Sequence, residues 1–210
     1  MKAIEIKDIC KKYGEIEVLK NFNMDVEENE FVCIVGGSGS GKSTLLNIIG
    51  LLEKADSGEV IYFNEKSCKP YSNNAVKMLR NEIGYLFQNF ALVDDESVYN
   101  NLKIALEYTK VINKAEAIAN ALKEVGLSGI EKKKVYNCSG GEQQRIAVAW
   151  LLLKPCRIVL ADEPTGSLDP HNKKIVIDLL LHLKEIGKTV LVVTHDQEVA
   201  AVANKVVRLE

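Results

Sequence analysis

Between the apolar run Phe31-Val32-Cys33-Ile34-Val35 and a helical pattern from Ser43 to Leu52 lies Gly36-Gly37-Ser38-Gly39-Ser40-Gly41-Lys42-Ser43-Thr44, which satisfies G-x-x-x-x-G-K-[ST]. No other stretch restricts the fold so strongly, because such a loop works only where a buried strand delivers it to a helix N-terminus. Glycines are needed because the backbone N–H groups must curl around an anion, through angles and at a closeness that a Cβ obstructs. The helix that follows aims its free N–H groups and positive dipole end at the same point. Lys42 adds a point charge suited to β and γ phosphates, and the Ser43 hydroxyl is placed to ligate Mg²⁺. The competing reading, a Gly/Ser turn that merely carries a lysine, does not account for strand, loop and helix standing in this order.

The remainder of the chain suits one α/β unit. Its 210 residues are 47% hydrophobic and 27% charged with only 14 Gly and 4 Pro, which excludes collagen-like, low-complexity and disordered classes. Lys plus Arg number 27 against 29 Asp plus Glu, a net charge of −2, so no general basic field exists to collect nucleic acid or anionic lipid. The longest apolar run, Ile146 to Leu153, falls well short of the roughly 18 to 20 residues a spanning helix needs. Met1 to Lys12 mixes charged and apolar residues without an apolar signal region, so a cytoplasmic protein is expected. Cys10, Cys33, Cys68, Cys138 and Cys156 are odd in number and lack C-x-x-C spacing, which argues for reduced thiols.

Two kinds of strand are expected. Ile4 to Ile9 and Phe22 to Val26 alternate apolar and polar residues and, with Val60 to Phe63, predict an antiparallel sheet with one wet face. Phe31 to Val35, Ile158 to Ala161 and Val190 to Val193 are unbroken apolar runs suited to a parallel sheet covered on both faces. Helical periodicity marks Ala115 to Val125, Glu142 to Leu153 and Asn172 to Ile186, the last closed by Gly187. Residues from about 89 to 154 hold no convincing β run and read as a helical insertion.

Two further motifs carry chemistry. The strand Ile158 to Ala161 ends in Asp162-Glu163, two carboxylates at the carboxyl edge of a parallel sheet, where α/β proteins bind ligands. Asp162 suits Mg²⁺, and Glu163 suits orienting and polarising a water that attacks a γ-phosphate. Alone, the pair could be a polar turn; after the phosphate loop it reads as a site. Cys138-Ser139-Gly140-Gly141-Glu142-Gln143-Gln144-Arg145 opens an apolar helix, and Ser139 with its glycines makes either a second anion-binding N-terminus or an ordinary cap.

At this point the chain resembles the ATP-binding subunit family of ABC transporters, whose signature reads L-S-G-G-Q or L-S-G-G-E just upstream of the acidic strand. The resemblance covers essentially the whole chain. Tyr13 matches the aromatic that stacks on adenine, with Val18 a weaker neighbour of the nucleotide; Gln88, after the strand Ile83 to Phe87, matches the glutamine loop; Ser167-Leu168-Asp169 matches the D-loop; His195 matches the switch histidine.

The resemblance implies a P-loop NTPase of the ABC cassette type: a mostly parallel core sheet with an antiparallel β subdomain and a helical subdomain. One domain would span 1–210, its α/β core about 1–88 and 155–210 and its helical subdomain about 89–154. It also implies ATP hydrolysis, with Mg²⁺ held by Ser43, Gln88 and Asp162, and catalysis by Glu163 and His195. Ser139, Gly140, Gly141 and Glu142 would close over ATP held by a second copy of the chain, with Asp169 coupling the two. The unit would thus be a head-to-tail dimer, peripheral on the inner membrane face through a separate permease, with Gln88 reporting nucleotide state to that partner.

Glu142, the run Val159 to Asp169 and the stretch Asn47 to Glu59 look most like the branch of lipoprotein-releasing, macrolide-export and bacteriocin-export cassettes. Three positions depart from the pattern: Cys138 replaces leucine, Gly37 stands where proline is common, and Trp150 stands where arginine is common. None removes a catalytic group. Two other readings stay open, a cassette that regulates a membrane partner without moving a solute, and a ribosome- or DNA-associated ATPase, which the near-neutral charge disfavours.

Overall fold

The computed structural model describes residues 1–64 and 68–209. Its N-terminal part is a three-stranded antiparallel sheet built from β1 (Lys2–Tyr13), β2 (Ile16–Glu27) and β4 (Ser57–Tyr62), with β1 in the middle. The alternation expected for β1 would turn Asp8 inward. Instead the register shifts between Ile6 and Ile9, and Asp8 takes a φ of 49°, so that a bulge keeps Ile4, Ile6 and Ile9 all buried.

The second sheet is parallel throughout, in the order β5 (Ile83–Leu86), β6 (Ile158–Asp162), β7 (Thr189–Thr194), β3 (Phe31–Val35) and β8 (Lys205–Arg208). Its continuous apolar strands feed two cores by turns. Phe31, Cys33, Val159, Ala161, Val190 and Val192 face one core, which α3 (Val98–Ala105), α4 (Lys114–Glu124), α5 (Gly140–Leu153) and α6 (Pro170–Glu185) cover. Val32, Ile34, Ile158, Leu160, Leu191 and Val193 face the other, filled by α1 (Lys42–Ile49) and the antiparallel sheet. Each such valine, isoleucine, leucine or phenylalanine, fully removed from water, stabilises the fold by about 1.5–3 kcal/mol. This two-sided burial is why these strands read as unbroken apolar runs.

Register sets the site. Val35 pairs with Thr194 and Asp162 with Val193, so β3, β7 and β6 finish in one row with their carboxyl ends side by side. The loops leaving those ends carry Gly36 to Gly41, His195 and Glu163. On the β5 side, α5 packs against α3, α4 and α6. It is apolar nearly all round, with Ile146, Ala147, Val148, Ala149 and Leu151 buried, as a helix enclosed by neighbours must be. No sequence expectation of their own existed for α2 (Asn73–Asn81), α3, which lies inside the expected helical insertion, α7 (Gln197–Val202) and β8. Among the described residues no helix is long and apolar enough to cross a membrane, and all five cysteines are free.

Candidate nucleotide-binding site

The loop from Gly36 to Gly41 leaves β3 and enters α1 through Gly41, whose φ of 89° and ψ of 9° only glycine adopts without strain. A Cβ there would also come within 2.6 Å of Val18 Cγ1. No side chain caps α1, so its first N–H groups point into a groove of about 230 Å³ lined by Val18, Gly39, Gly41, Lys42, Ser43 and Thr44. The Lys42 ammonium folds back over the loop and donates to the carbonyls of Gly36 at 2.9 Å and Gly37 at 2.7 Å. The hydroxyl oxygen of Ser40 is buried without a partner. Unsatisfied N–H groups, an orphaned hydroxyl and an ammonium resting on carbonyls make a cradle that fits a polyphosphate.

At the end of β6, the Ser43 hydroxyl donates to Asp162 Oδ1 at 3.1 Å. Burial pushes the Asp162 carboxyl up from its ordinary range, with the Ser43 hydrogen bond opposing. Gln88 and Asp162 line one groove of about 490 Å³ together with Asn47 and Asn89. A hydroxyl, a carboxylate and an amide oxygen are a hard-cation donor set, and the residues fit Mg²⁺. Among the described residues no group of three or more His, Cys, Asp or Glu could hold a metal alone, so bound phosphates would have to complete such a site.

Glu163 sits at φ 44°, a left-handed conformation rare for a non-glycine residue and frequent at functional sites. Its carboxylate is held from three directions. Thr194 Oγ1 donates to Oε2 at 2.8 Å, the His195 N–H to the same oxygen at 3.4 Å, and His195 Nδ1 to Oε1 at 2.9 Å. A carboxylate only accepts, which places a hydrogen on Nδ1. The glutamate side chain is 15% exposed and the histidine 72%, so the imidazole remains accessible. Thr194 was not singled out from sequence, although its place directly before His195 at a strand end was the available signal.

Tyr13 ends β1, half exposed, and its hydroxyl donates to Glu53. Ser139 caps α5 and accepts from the Glu142 N–H at 3.2 Å, while Glu142 Oε2 accepts from the Ser139 N–H at 2.7 Å, a complete capping box. Lys133, 2.9 Å away, together with the Ser139 amide holds the Glu142 carboxyl below its ordinary range. Gly141 is buried against Asn172, which donates to Asp169 and accepts from Arg145. Asp169 in turn caps α6 by accepting from the N–H groups of His171 and Asn172. The predicted residues therefore fall into two groups. The loop, Asp162, Glu163, His195 and Gln88 meet at the sheet edge, with Tyr13 and Val18 at its rim. Ser139, Gly140, Gly141, Glu142 and Asp169 form a second cluster, and among the described residues no hydrogen bond or ion pair joins the two.

The pattern of the ABC transporter family matches residues 19–166. The chain belongs to that family, as an ATP-binding cassette with ATPase activity. The macrolide export ATP-binding/permease protein MacB of Mannheimia succiniciproducens is 38% identical over 217 residues, covering 100% of this chain and 34% of the relative. The pyoverdine export ATP-binding/permease protein PvdT of Pseudomonas fluorescens is 36% identical over 213 residues, covering 98% and 32%. The chain thus spans about a third of the length of these curated relatives. Among solved structures, the dimeric ABC transporter cassette MJ0796 superposes with a TM-score of 0.88 at 38% identity, over 98% of this chain and 94% of that one. Its dimeric post-hydrolysis state bound to ADP and phosphate gives 0.89 at 38% identity, over 99% and 94%.

Proposed function

We propose that this cassette is the motor of an export system, binding Mg²⁺–ATP and using its hydrolysis to open and close a head-to-tail dimer on the inner face of the membrane. Residues 1–210 act as one cassette in which about 89–154 form the helical subdomain. Gly36 to Thr44 cradle the phosphates, Tyr13 and Val18 flank the base, and Ser43, Asp162 and Gln88 hold the metal. When bound by these residues, Mg²⁺ would supply neutralisation of phosphate charge. Glu163 orients the attacking water and accepts its proton; Thr194 and His195 fix that carboxylate in place, and the exposed imidazole of His195 faces the γ-phosphate.

Ser139, Gly140, Gly141 and Glu142 serve the nucleotide of a second copy, and Asp169 couples the two halves. The observation that carries this reading is the separation of the two clusters: the phosphate loop and its acids meet at one sheet edge, whereas the α5 N-terminus is bound to α6. A closed site then requires two chains. ATP glues the chains, and loss of the γ-phosphate frees them.

The permease partner lies outside these 210 residues. An apolar groove of about 200 Å³ beside Gln88, lined by Phe87, Phe90, Leu92, Ile104 and Trp150 among others, is the surface we assign to it. The macrolide-export and pyoverdine-export names of the MacB and PvdT relatives support export as the direction, and a peptide, lipoprotein or drug-like cargo follows from the sequence resemblance.

Glu163→Gln tests the assignment. Turnover is expected to fall at least 100-fold with ATP affinity retained, and an ATP-bound dimer should accumulate in size-exclusion chromatography. A fully active Glu163→Gln variant that stays monomeric with ATP would remove both the base and the dimer from the mechanism.

A further inference from the structure

Glu53 was not among the expected site residues. It lies just past the end of α1, where its backbone N–H still reaches the Asn47 carbonyl at 3.2 Å. Its Oε1 accepts from the Tyr13 hydroxyl and sits 3.1 Å from Lys11 Nζ. The same ammonium donates to the Lys54 carbonyl at 2.8 Å and stands 5.1 Å from the centre of the Tyr13 ring, over one of its faces. Lys11 is 13% and Glu53 23% exposed, so the pair is well enclosed, whereas Tyr13 is 49% exposed. The ring is therefore pinned at its hydroxyl and covered by a cation on one face, and what it shows to solvent is the remainder.

We propose that Glu53, with Lys11, is a positioning residue that holds the Tyr13 ring in place before nucleotide arrives and so gives the site its preference for a base-bearing triphosphate. This rests on the reading of Tyr13 as the platform for the base. A free tyrosine at the tip of a hairpin would have to be immobilised on binding, and one side chain ordered in that way weakens affinity by about 2- to 10-fold. Glu53 removes that step by tying the hairpin to the far end of the same helix whose N-terminus faces the phosphates. Base and phosphate platforms thereby move as one body.

Calorimetry on the full chain with ATP and with inorganic tripolyphosphate, which has no base, tests this. Glu53→Ala and Tyr13→Phe, which loses only the donor hydroxyl, are each expected to weaken ATP about 2- to 10-fold and leave tripolyphosphate unchanged, and KM for ATP should rise while kcat does not fall. Glu53→Gln, which keeps an acceptor, should restore most of the ATP affinity. Should Glu53→Ala fail to fold, Tyr13→Phe carries the same test. Equal loss of both ligands would mean damage to α1 and would overturn the positioning role. Tyr13→Ala separates the two levels: if it does not weaken ATP, the base platform itself fails. If it does while Glu53→Ala and Tyr13→Phe have no effect, only the role of Glu53 is refuted.

Discussion

Two helices of this cassette begin at glycine-rich turns, and they begin in opposite ways. The start of α1 has no side-chain cap: Gly41 turns the chain through a left-handed conformation, and the first N–H groups are left open. The start of α5 is finished, with Ser139 and Glu142 exchanging hydrogen bonds and Lys133 paired to the glutamate. An unfinished helix end needs an anion from outside, whereas a finished one is rigid alone and keeps only the Ser139 O–H and the first glycine N–H groups to offer. On the function proposed above, the first is a site that binds by itself, and the second is a preformed surface that would meet a ligand presented by another chain.

The strongest way to break this contrast is to strike each end once. Lys42→Ala is expected to lower ATP affinity by more than 10-fold in the isolated chain, read by calorimetry, because the ammonium resting on the loop carbonyls is removed. Ser139→Arg should leave that affinity within about two-fold and still abolish ATPase activity by preventing dimer closure. Undiminished turnover in Ser139→Arg would sink the composite site.

Alanine at the glycines sharpens the comparison through stability. Gly41→Ala forces a Cβ into a left-handed backbone and against Val18, and is expected to destabilise by about 1–3 kcal/mol in thermal or urea melts. Gly140→Ala meets nothing within 4 Å in an ordinary helical position and should stabilise by about 0.4–1 kcal/mol. A reversed order would mean that the two turns had been misread.

The smallest effects concern pH, and here the ends have opposite signs. Asp162, bonded to Ser43 in the first turn of α1, has its carboxyl raised chiefly by burial. The folded chain therefore keeps a proton the unfolded chain has lost, and this group weakens stability as pH rises through that window. Asp162→Asn should raise Tm by about 2–4 °C at neutral pH in the absence of nucleotide and metal. Glu142 is lowered, so its stabilisation is present at neutral pH and lost on acidification through its lowered range. Glu142→Gln, which removes that titration, is expected to cost up to about 1 kcal/mol at neutral pH and less as acid protonates the native carboxylate. Matching pH responses in the two variants would contradict the difference drawn between the two ends.

Much of the fold could be read from periodicity where burial imposes it. Phe31 to Val35, Ile158 to Ala161 and Val190 to Val193 are apolar on both faces because both faces are covered, and the sequence records that directly. α2 buries only Ala75, and β8 alternates half-exposed with exposed residues, so neither leaves a hydrophobic trace strong enough to detect. The β1 bulge escaped although Lys7-Asp8, two polar residues in succession between Ile6 and Ile9, already break the alternation, and the register with β2 shows the extra residue. At the site, Gly36 to Thr44 and Asp162-Glu163 were legible because their spacing in the chain is their spacing in space. Glu163 and its donors, Glu53 and its partners Tyr13 and Lys11, and Gly141 and Asn172 are each between 31 and 42 positions apart, and no local pattern encodes those contacts.

Residue order alone therefore settled which groups are present: a phosphate loop between strand and helix, two acids after a buried strand, and a serine-glycine helix start. Local chemistry decides these, since a glycine angle, a cap or an apolar run depends on a few neighbours. Folding settled which groups meet. The order β6-β7-β3 brings Glu163, His195 and the loop to one edge, and the packing of α5 on α6 carries Ser139 away from it. That division follows from long-range strand pairing and core burial, whose free energy belongs to the whole chain and to no segment of it.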